Sequence, residues 1–269
     1  MISTPLMFVS GEGIMTEGKL QKKIPLVEMF GPTIQGEGAV IGQQTYFMRF
    51  GLCDYRCKMC DSMHAVDPIQ VKANARFLTQ EEICDEFVKT LWLPGSTRWI
   101  SLSGGNPCIH DLSLLVSVLG RSGFRFAVET QGTLSPSWLS MCDIITVSPK
   151  GPGMGETCDI EVLDKFMQYV MSAHPTAVNI KVVVFDQRDL EFAKMLWERY
   201  GQTGVPFYLS LGNPYPPGLD GLVNFQDHIN TLIGLYKQLF EDIKTDSILS
   251  QMRFLPQWHV FVWGNEKGK

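Results

Sequence analysis

The sequence predicts an α/β fold of six βα units, either a partial barrel or an open doubly wound sheet, and three observations carry that expectation. Six segments rich in β-branched and aromatic residues are spread along the chain. Stretches with the apolar period of helices lie between them. The unusual polar and glycine-rich clusters fall at or just after the carboxyl ends of the strands, where both architectures gather their working groups. Six units are too few for a closed eight-stranded barrel.

Residues 1–22, rich in Gly, Thr and Lys, show no sustained period and read as a flexible lead-in, so a single domain is expected over 23–269, its fold starting near Ile24. The expected strands are Gln44–Gly51, Arg98–Gly105, Arg125–Gly132, Asp143–Lys150, Ala177–Phe185 and Pro206–Asn213. Thr79-Gln80-Glu81-Glu82 is a capping box ahead of an apolar stripe of Ile83, Phe87, Val88 and Leu91, and Pro94-Gly95 ends that helix. Similar patterns predict helices over Asp111–Gly120, Asp159–Met171, Asp189–Tyr200 and Phe225–Phe240.

Composition narrows the function classes. The chain has 269 residues, 45% of them hydrophobic, enough for a substantial core. A formal net charge of -5 argues against a grip on nucleic-acid phosphates or anionic lipid. Apolar runs such as Val182–Phe185 and Val260–Trp263 are far shorter than a membrane span, and MISTPLMFVS lacks the basic start and long apolar middle of a signal peptide. The expectation is a soluble cytoplasmic protein with small-molecule partners, no nucleic acid and no membrane. Its seven cysteines then read as thiols or ligands and not as a disulfide framework.

Three of them stand in GLCDYRCKMCDS: Cys53, Cys57 and Cys60 are spaced C-x3-C-x2-C in a loop after the first strand. Close thiolates repel one another unless a cation neutralises them, and Asp54, Arg56, Lys58 and Asp61 make the loop too polar for packing alone. Two metal centres suit the spacing. Zinc would recruit His64 or Asp61 as a fourth ligand. A 4Fe-4S cluster would use three cysteines and leave one iron open. Cys84, Cys108, Cys142 and Cys158 show no ligand spacing and read as small apolar residues.

The three-cysteine loop after the first strand of a βα repeat resembles the radical S-adenosylmethionine superfamily, in which the open iron binds the methionyl amino and carboxylate groups. Gly104-Gly105-Asn106-Pro107 strengthens the likeness, because a glycine pair at a strand end lets backbone approach a ligand closely; alone it would be a tight turn. A narrower likeness rests on EMFGPTIQGEG (Glu28–Gly38), Cys60-Asp61-Ser62, Ser103–Pro107, Glu129–Thr133, Ser148-Pro149-Lys150, Leu255–His259 and Trp263–Asn265. From about Pro25 onwards the chain closely resembles the 7-carboxy-7-deazaguanine synthase family. That resemblance implies a partial (βα)6-type TIM-like barrel. It also implies ring contraction of 6-carboxy-5,6,7,8-tetrahydropterin with loss of ammonia, in 7-deazapurine (queuosine-type) biosynthesis. The implied cofactors are a 4Fe-4S cluster, S-adenosylmethionine and Mg2+; the implied partners are a low-potential donor such as flavodoxin or ferredoxin and a second copy of the chain.

The same resemblance assigns positions. Cys53, Cys57 and Cys60 would hold the cluster and Ser62 the magnesium, although Ser62 would also serve as a helix cap. Ile34, Gln35, Gly36 and Glu37 match ring-binding positions, where a polar turn is the plain alternative. Arg49, a cation in an apolar strand, suits a substrate carboxylate or an internal acidic partner. Ser103 matches a substrate contact. Met59, Asp61, Gly104, Gly105, Asn106, Ser148, Pro149, Lys150 and Ser210 match cofactor contacts, although relatives often carry Gln at the Ser210 position. Glu129 and His259 are the candidate catalytic groups; a salt bridge from Glu129 to Lys150, or a core role for His259, would explain them too. After Lys150 the chain reads Gly151-Pro152-Gly153-Met154, where relatives are richer in proline. An activase sharing the cysteine loop, a zinc-stapled binding protein and an RNA-binding protein are the competing functions; colour and oxygen sensitivity separate a cluster from zinc.

Overall fold

The computed structural model describes residues 22–173, 177–215, 224–266 and 268, so the lead-in expected over 1–22 lies, Lys22 apart, outside the described residues. The chain runs β1 (Ile24–Ile34), β2 (Gln44–Phe50), α1 (Met63–Val66), α2 (Pro68–Asn74), β3 (Arg76–Leu78), α3 (Gln80–Glu86) and β4 (Trp99–Gly104). Then come α4 (Ser113–Arg121), β5 (Arg125–Thr130), β6 (Ile144–Val147), α5 (Ile160–Ala173), β7 (Val178–Val184), α6 (Gln187–Tyr200), β8 (Phe207–Leu211), α7 (Phe225–Lys244), β9 (Arg253–Leu255) and α8 (Trp258–Trp263). The strands form one sheet in the order β3-β1-β2-β4-β5-β6-β7-β8-β9. From β2 to β9 all neighbours are parallel, while β1 is antiparallel to both β2 and β3. This is a partial α/β barrel: the six expected strands are its body, and β1, β3 and β9 extend it at the two edges.

β1 hides in the sequence because Gly31-Pro32 interrupts its pattern and its pairing with β2 slips twice, between Leu26 and Glu28 and between Phe30 and Thr33. β3 covers only Ile24–Leu26, so Pro32 removes no donor from that pairing. The helices begin where the sequence marks them. Thr79 and Glu82 close the capping box of α3, and Asp186 with Asp189 closes another on α6, two residues before the expected start. Among the described residues, no helix is long and apolar enough to cross a membrane.

Strand period 2 divides the sheet chemically. Met48, Phe50, Ile100, Leu102, Phe126, Val128, Ile180 and Val182, all at most 1% exposed, belong to the apolar core shared with the helices. Burial of such side chains contributes about 1.5–3 kcal/mol each. Cys84, Cys108 and Cys142 lie in that core as expected, with Cys158 packed against it. The intervening residues Arg49, Ser101, Ser103, Glu129, Thr146 and Lys181 face a cavity. Register joins them into a lining, with Arg49 opposite Ser103 and Glu129 opposite Thr146.

Candidate active site

The cavity, about 260 Å³, lies at the carboxyl ends of the parallel strands. Its walls are the turn after β1, the cysteine loop after β2, the ends of β4, β5 and β7, and the C-terminal segment with Gln257 and His259. Cys53, Cys57 and Cys60 all contribute to the wall.

The cysteine loop is aimed by a strained turn. Leu52 adopts φ 77°, which costs a non-glycine residue of order 1 kcal/mol. The conformation is fixed from both sides: Leu52 N–H donates to Ala65 O (2.7 Å) and Asn106 N–H donates to Leu52 O (2.8 Å). Gly105 N–H donates to Phe50 O at 3.0 Å. A Cβ at Gly104 would stand 1.9 Å from Phe50 O, and one at Gly105 2.1 Å from Leu52 O. The glycine pair is thus required by the approach of β4 to the end of β2. The close backbone approach expected to serve a ligand is here taken by the cysteine loop itself.

A second loop clamps the cysteines from the other side. Lys58 N–H donates to Met154 O (2.8 Å) and Arg56 N–H to Glu156 Oε1 (2.6 Å). Gly151-Pro152-Gly153-Met154 is in turn seated on the fully buried Asp189. Gly153 N–H donates to Asp189 Oδ1 and Phe185 N–H to its Oδ2, both at 2.8 Å. A Cβ at Gly153 would lie 2.1 Å from Asp189 Oδ2, so the seat on Asp189 requires glycine there. Burial pushes the Cys57 thiol up to about 11 and that of Cys60 to about 12, and raises Cys53. A cation is what would hold all three as thiolates.

Two charged groups line the rest. Lys181 Nζ donates to Glu37 Oε2 (2.7 Å) and pairs with Glu129 Oε1 (2.6 Å). Burial acts to raise the Glu37 carboxyl, but the Lys181 and His259 charges and hydrogen bonds from Lys181 and Gln257 outweigh it and hold Glu37 down at about 2. Burial likewise opposes the Lys181 charge, and the two carboxylates reverse that, raising it above the ordinary lysine range. Gln257 Nε2 donates to Glu37 Oε1 at 3.1 Å, and His259 Nδ1 lies 3.6 Å from the same oxygen. In the second group Arg49 Nε donates to Glu28 Oε2 (2.8 Å) and Arg49 Nη1 to Ser62 Oγ (3.0 Å). The Glu28 carboxyl, raised by burial but lowered more by His64 and Arg49, settles at about 2.

Most of the residues singled out from sequence meet here: Ile34, Gln35, Gly36, Glu37, Arg49, Met59, Asp61, Ser62, Ser103, Gly104, Gly105, Glu129, Lys150 and His259 line the cavity. Asn106, Ser148, Pro149 and Ser210 do not. Asn106 is buried, bonding Asp54, Thr130 and Thr133, and Ser148 Oγ accepts from Lys150 Nζ at 3.0 Å. Pro149 is buried, and Ser210 is buried in β8 with no partner for its hydroxyl. Three alternatives change. Glu129 pairs with Lys181 and not with Lys150. Ser62 stands at the N-cap of α1 but its side chain makes no capping hydrogen bond; its hydroxyl donates to Asp61 Oδ1 at 2.9 Å. His259 is one-third exposed on the cavity wall instead of sealed in the core. The fourth ligands of a zinc site are otherwise engaged, His64 Nε2 beside Glu28 Oε1 at 3.5 Å and Asp61 with Ser62.

Lys181, Glu28, Gln257, Asp54 and Asp189 were given no site role from sequence, although Glu28 and Gln257 stand in motifs that carry the resemblance. Lys181 carried a usable signal: like Arg49 it is a lone cation in an apolar strand, Val178–Val184. Gly36 and His259 explain each other, since a Cβ at Gly36 would meet His259 Nδ1 at 2.9 Å, and Trp258 N–H donates to Gly36 O at 3.0 Å. The turn after β1 and the C-terminal segment thereby close on one another.

No family model matches the chain. It is 39% identical over 252 residues to the 7-carboxy-7-deazaguanine synthase of Bacillus subtilis, covering 93% of this chain and 100% of that protein. It is 39% identical over 249 residues to the synthase of the same name from Bacillus cereus, 91% of this chain and 99% of that one. Among solved structures it resembles the crystal structure of QueE from Escherichia coli, with TM-score 0.59 and 22% identity over 87% of this chain and 94% of that chain, a likeness of fold. With near-complete coverage on both sides at that identity, the chain belongs to the 7-carboxy-7-deazaguanine synthase family.

Proposed function

We propose that this protein converts 6-carboxy-5,6,7,8-tetrahydropterin to 7-carboxy-7-deazaguanine with loss of ammonia, using a 4Fe-4S cluster and S-adenosylmethionine, in the synthesis of 7-deazapurines. The observation that carries the reading is that three thiols of one loop open into the same cavity as Arg49, Glu37, Lys181 and Glu129, with no fourth cysteine among the described residues that line it. Those residues fit the groups they would hold. Three thiols suit a cluster with one open iron, and the buried, unpartnered hydroxyl of Ser103 asks for a polar ligand atom at the cavity wall. When bound, the cluster and S-adenosylmethionine supply a carbon radical able to take a hydrogen atom from the substrate.

The chain's own groups bind and orient. Arg49, at the cavity wall between Glu28 and Ser62, receives the pterin carboxylate. Gln35, Glu37 and the backbone from Ile34 to Gly36 meet the amide and amino edge of the ring, with Ser103 alongside. Glu129, held by Lys181 through one oxygen, turns the other to a ring N–H, and His259 beside Glu37 exchanges a proton with the bound ring. Met59, Asp61, Gly104, Gly105 and Lys150 face the cofactor from the cavity wall; Asn106, Ser148 and Pro149 support that wall from behind, and Ser210 holds a buried place in β8. Ser62, bonded to Asp61, offers Mg2+ a hydroxyl next to the carboxylate that Arg49 binds. The protein works as a homodimeric cytoplasmic enzyme, one domain over 23–269, fed by a low-potential flavodoxin or ferredoxin.

An anaerobic binding titration tests the substrate assignment. The reconstituted protein should bind the 6-carboxylated pterin at least tenfold more tightly than tetrahydropterin without the carboxyl group, and Arg49→Ala should erase the difference. Equal affinities in the unaltered protein would contradict it.

A further inference from the structure

We propose that Gln131 tunes the reduction potential of the cluster by donating a hydrogen bond to the sulfur of Cys53, an inference that rests on the cluster assignment above. Gln131 follows β5 and is 5% exposed. Its amide nitrogen lies 3.4 Å from Cys53 Sγ and also donates to Asp54 Oδ1. The second contact fixes the orientation of the amide: a carboxylate accepts and does not donate, so the nitrogen and not the oxygen faces this corner. An amide nitrogen carries two hydrogens. One is taken by Asp54, and the other is left for the sulfur.

The corner is built to hold that geometry. Asp54 Oδ1 also accepts from Asn106 Nδ2 (2.9 Å), and Asp54 Oδ2 accepts from Thr133 Oγ1 (2.5 Å). Thr130 Oγ1 donates to Asn106 Oδ1 (2.9 Å), which ties the ends of β4 and β5 to the cysteine loop. Among the described residues Cys53 Sγ also accepts from the backbone N–H of Tyr55 at 3.4 Å. Gln131 lines the same cavity, but these hydrogen bonds join its corner to none of the side chains assigned to the pterin.

The chemistry follows from charge. Reduction adds one electron, from a low-potential one-electron donor, to a cluster whose thiolate ligands share the added negative charge. A hydrogen bond to a ligand sulfur is stronger in the more negative state and therefore raises the potential. Loss of the Gln131 donor should lower it. At a fixed ambient potential the ratio of reduced to oxidised cluster should fall about tenfold, which is ~59 mV for a one-electron couple.

The test is an electron-paramagnetic-resonance redox titration of the reconstituted holoprotein with dithionite and mediators. Gln131→Leu is compared with the unaltered protein. Gln131→Met, which keeps the length of the side chain and brings neither a donor nor a charge, is titrated beside it in case leucine prevents cluster assembly. Thr133→Val removes a donor from Asp54 and none from Cys53. The expected result is a lowered potential in either Gln131 variant and less than a twofold change in that ratio for Thr133→Val. Unchanged potentials in the Gln131 variants overturn the proposal and leave the enzyme assignment standing. An equal shift in Thr133→Val also overturns it, because the effect would then belong to the Asp54 corner as a whole. Absence of any 4Fe-4S signal from the unaltered protein overturns the cluster assignment, and the inference with it.

Discussion

Replacing Lys181 with methionine should damage folding before it damages chemistry. Lys181 is 3% exposed and neutralises Glu37, itself only 12% exposed, at 2.7 Å. Methionine keeps the chain length and the apolar contacts of β7 and removes only the charge. The Glu37 carboxylate would then be buried with Gln257 and His259 as its remaining partners. Removing one member of a buried pair costs about 3–5 kcal/mol. Glu129 adds little, because it is 36% exposed and water screens it. The sign of the pH dependence is more diagnostic than the size. In the unaltered protein Glu37 is held at about 2 against an ordinary 4.5, so its stabilisation is complete above pH 4.5 and is lost as pH falls toward 2. Without Lys181, burial dominates and the carboxyl rises above 4.5, so the variant should lose stability as pH rises from 5 to 8. Urea denaturation of both apoproteins, anaerobic and reduced, reads this directly. A loss below about 1 kcal/mol at pH 7, or a loss that does not grow between pH 5 and pH 8, would refute the reasoning.

Ser103→Ala should leave urea stability within about 0.5 kcal/mol, since the hydroxyl has no partner to lose, while turnover falls roughly tenfold if it contacts substrate; unchanged kcat/KM would remove it from the site. Gly105→Ala forces a Cβ against Leu52 O and should cost about 1–3 kcal/mol and lower the iron retained after reconstitution; normal iron content would show that the loop adjusts. Glu28, held at about 2 against an ordinary 4.5, contributes stability above pH 4.5 that is lost toward pH 2. Comparing urea midpoints at pH 3 and pH 6, Glu28→Gln should flatten that loss by about 1–3 kcal/mol, and an unchanged slope would mean that the pair with Arg49 contributes nothing.

The barrel body was legible because its strands are short apolar runs ending in polar clusters, and its helices carry caps such as Thr79 with Glu82. β1 was not, since two register slips and Gly31-Pro32 erase its period. The cysteine loop was legible from spacing alone. What holds it was not: Asp189 reaches Gly153 across 36 residues, and Gln131 meets Asp54 across 77, contacts that no local pattern announces. Lone cations in apolar strands proved a reliable signal of paired charge. Arg49 was recognised on that ground, and Lys181 met the same criterion one strand type away, between Ile180 and Val182. The glycines near the cysteines were found for a ligand's sake, yet at Gly104, Gly105 and Gly36 the protein's own backbone and His259 fill the space.

Turnover decides the assignment most directly. The anaerobically reconstituted protein is incubated with S-adenosylmethionine, a low-potential reductant, Mg2+ and 6-carboxy-5,6,7,8-tetrahydropterin, beside a Cys57→Ala variant, and the products are identified by mass spectrometry. Formation of 7-carboxy-7-deazaguanine by the unaltered protein alone is the predicted result. A cluster-bearing protein that cleaves S-adenosylmethionine but leaves the pterin intact, or equal product from Cys57→Ala, would contradict it.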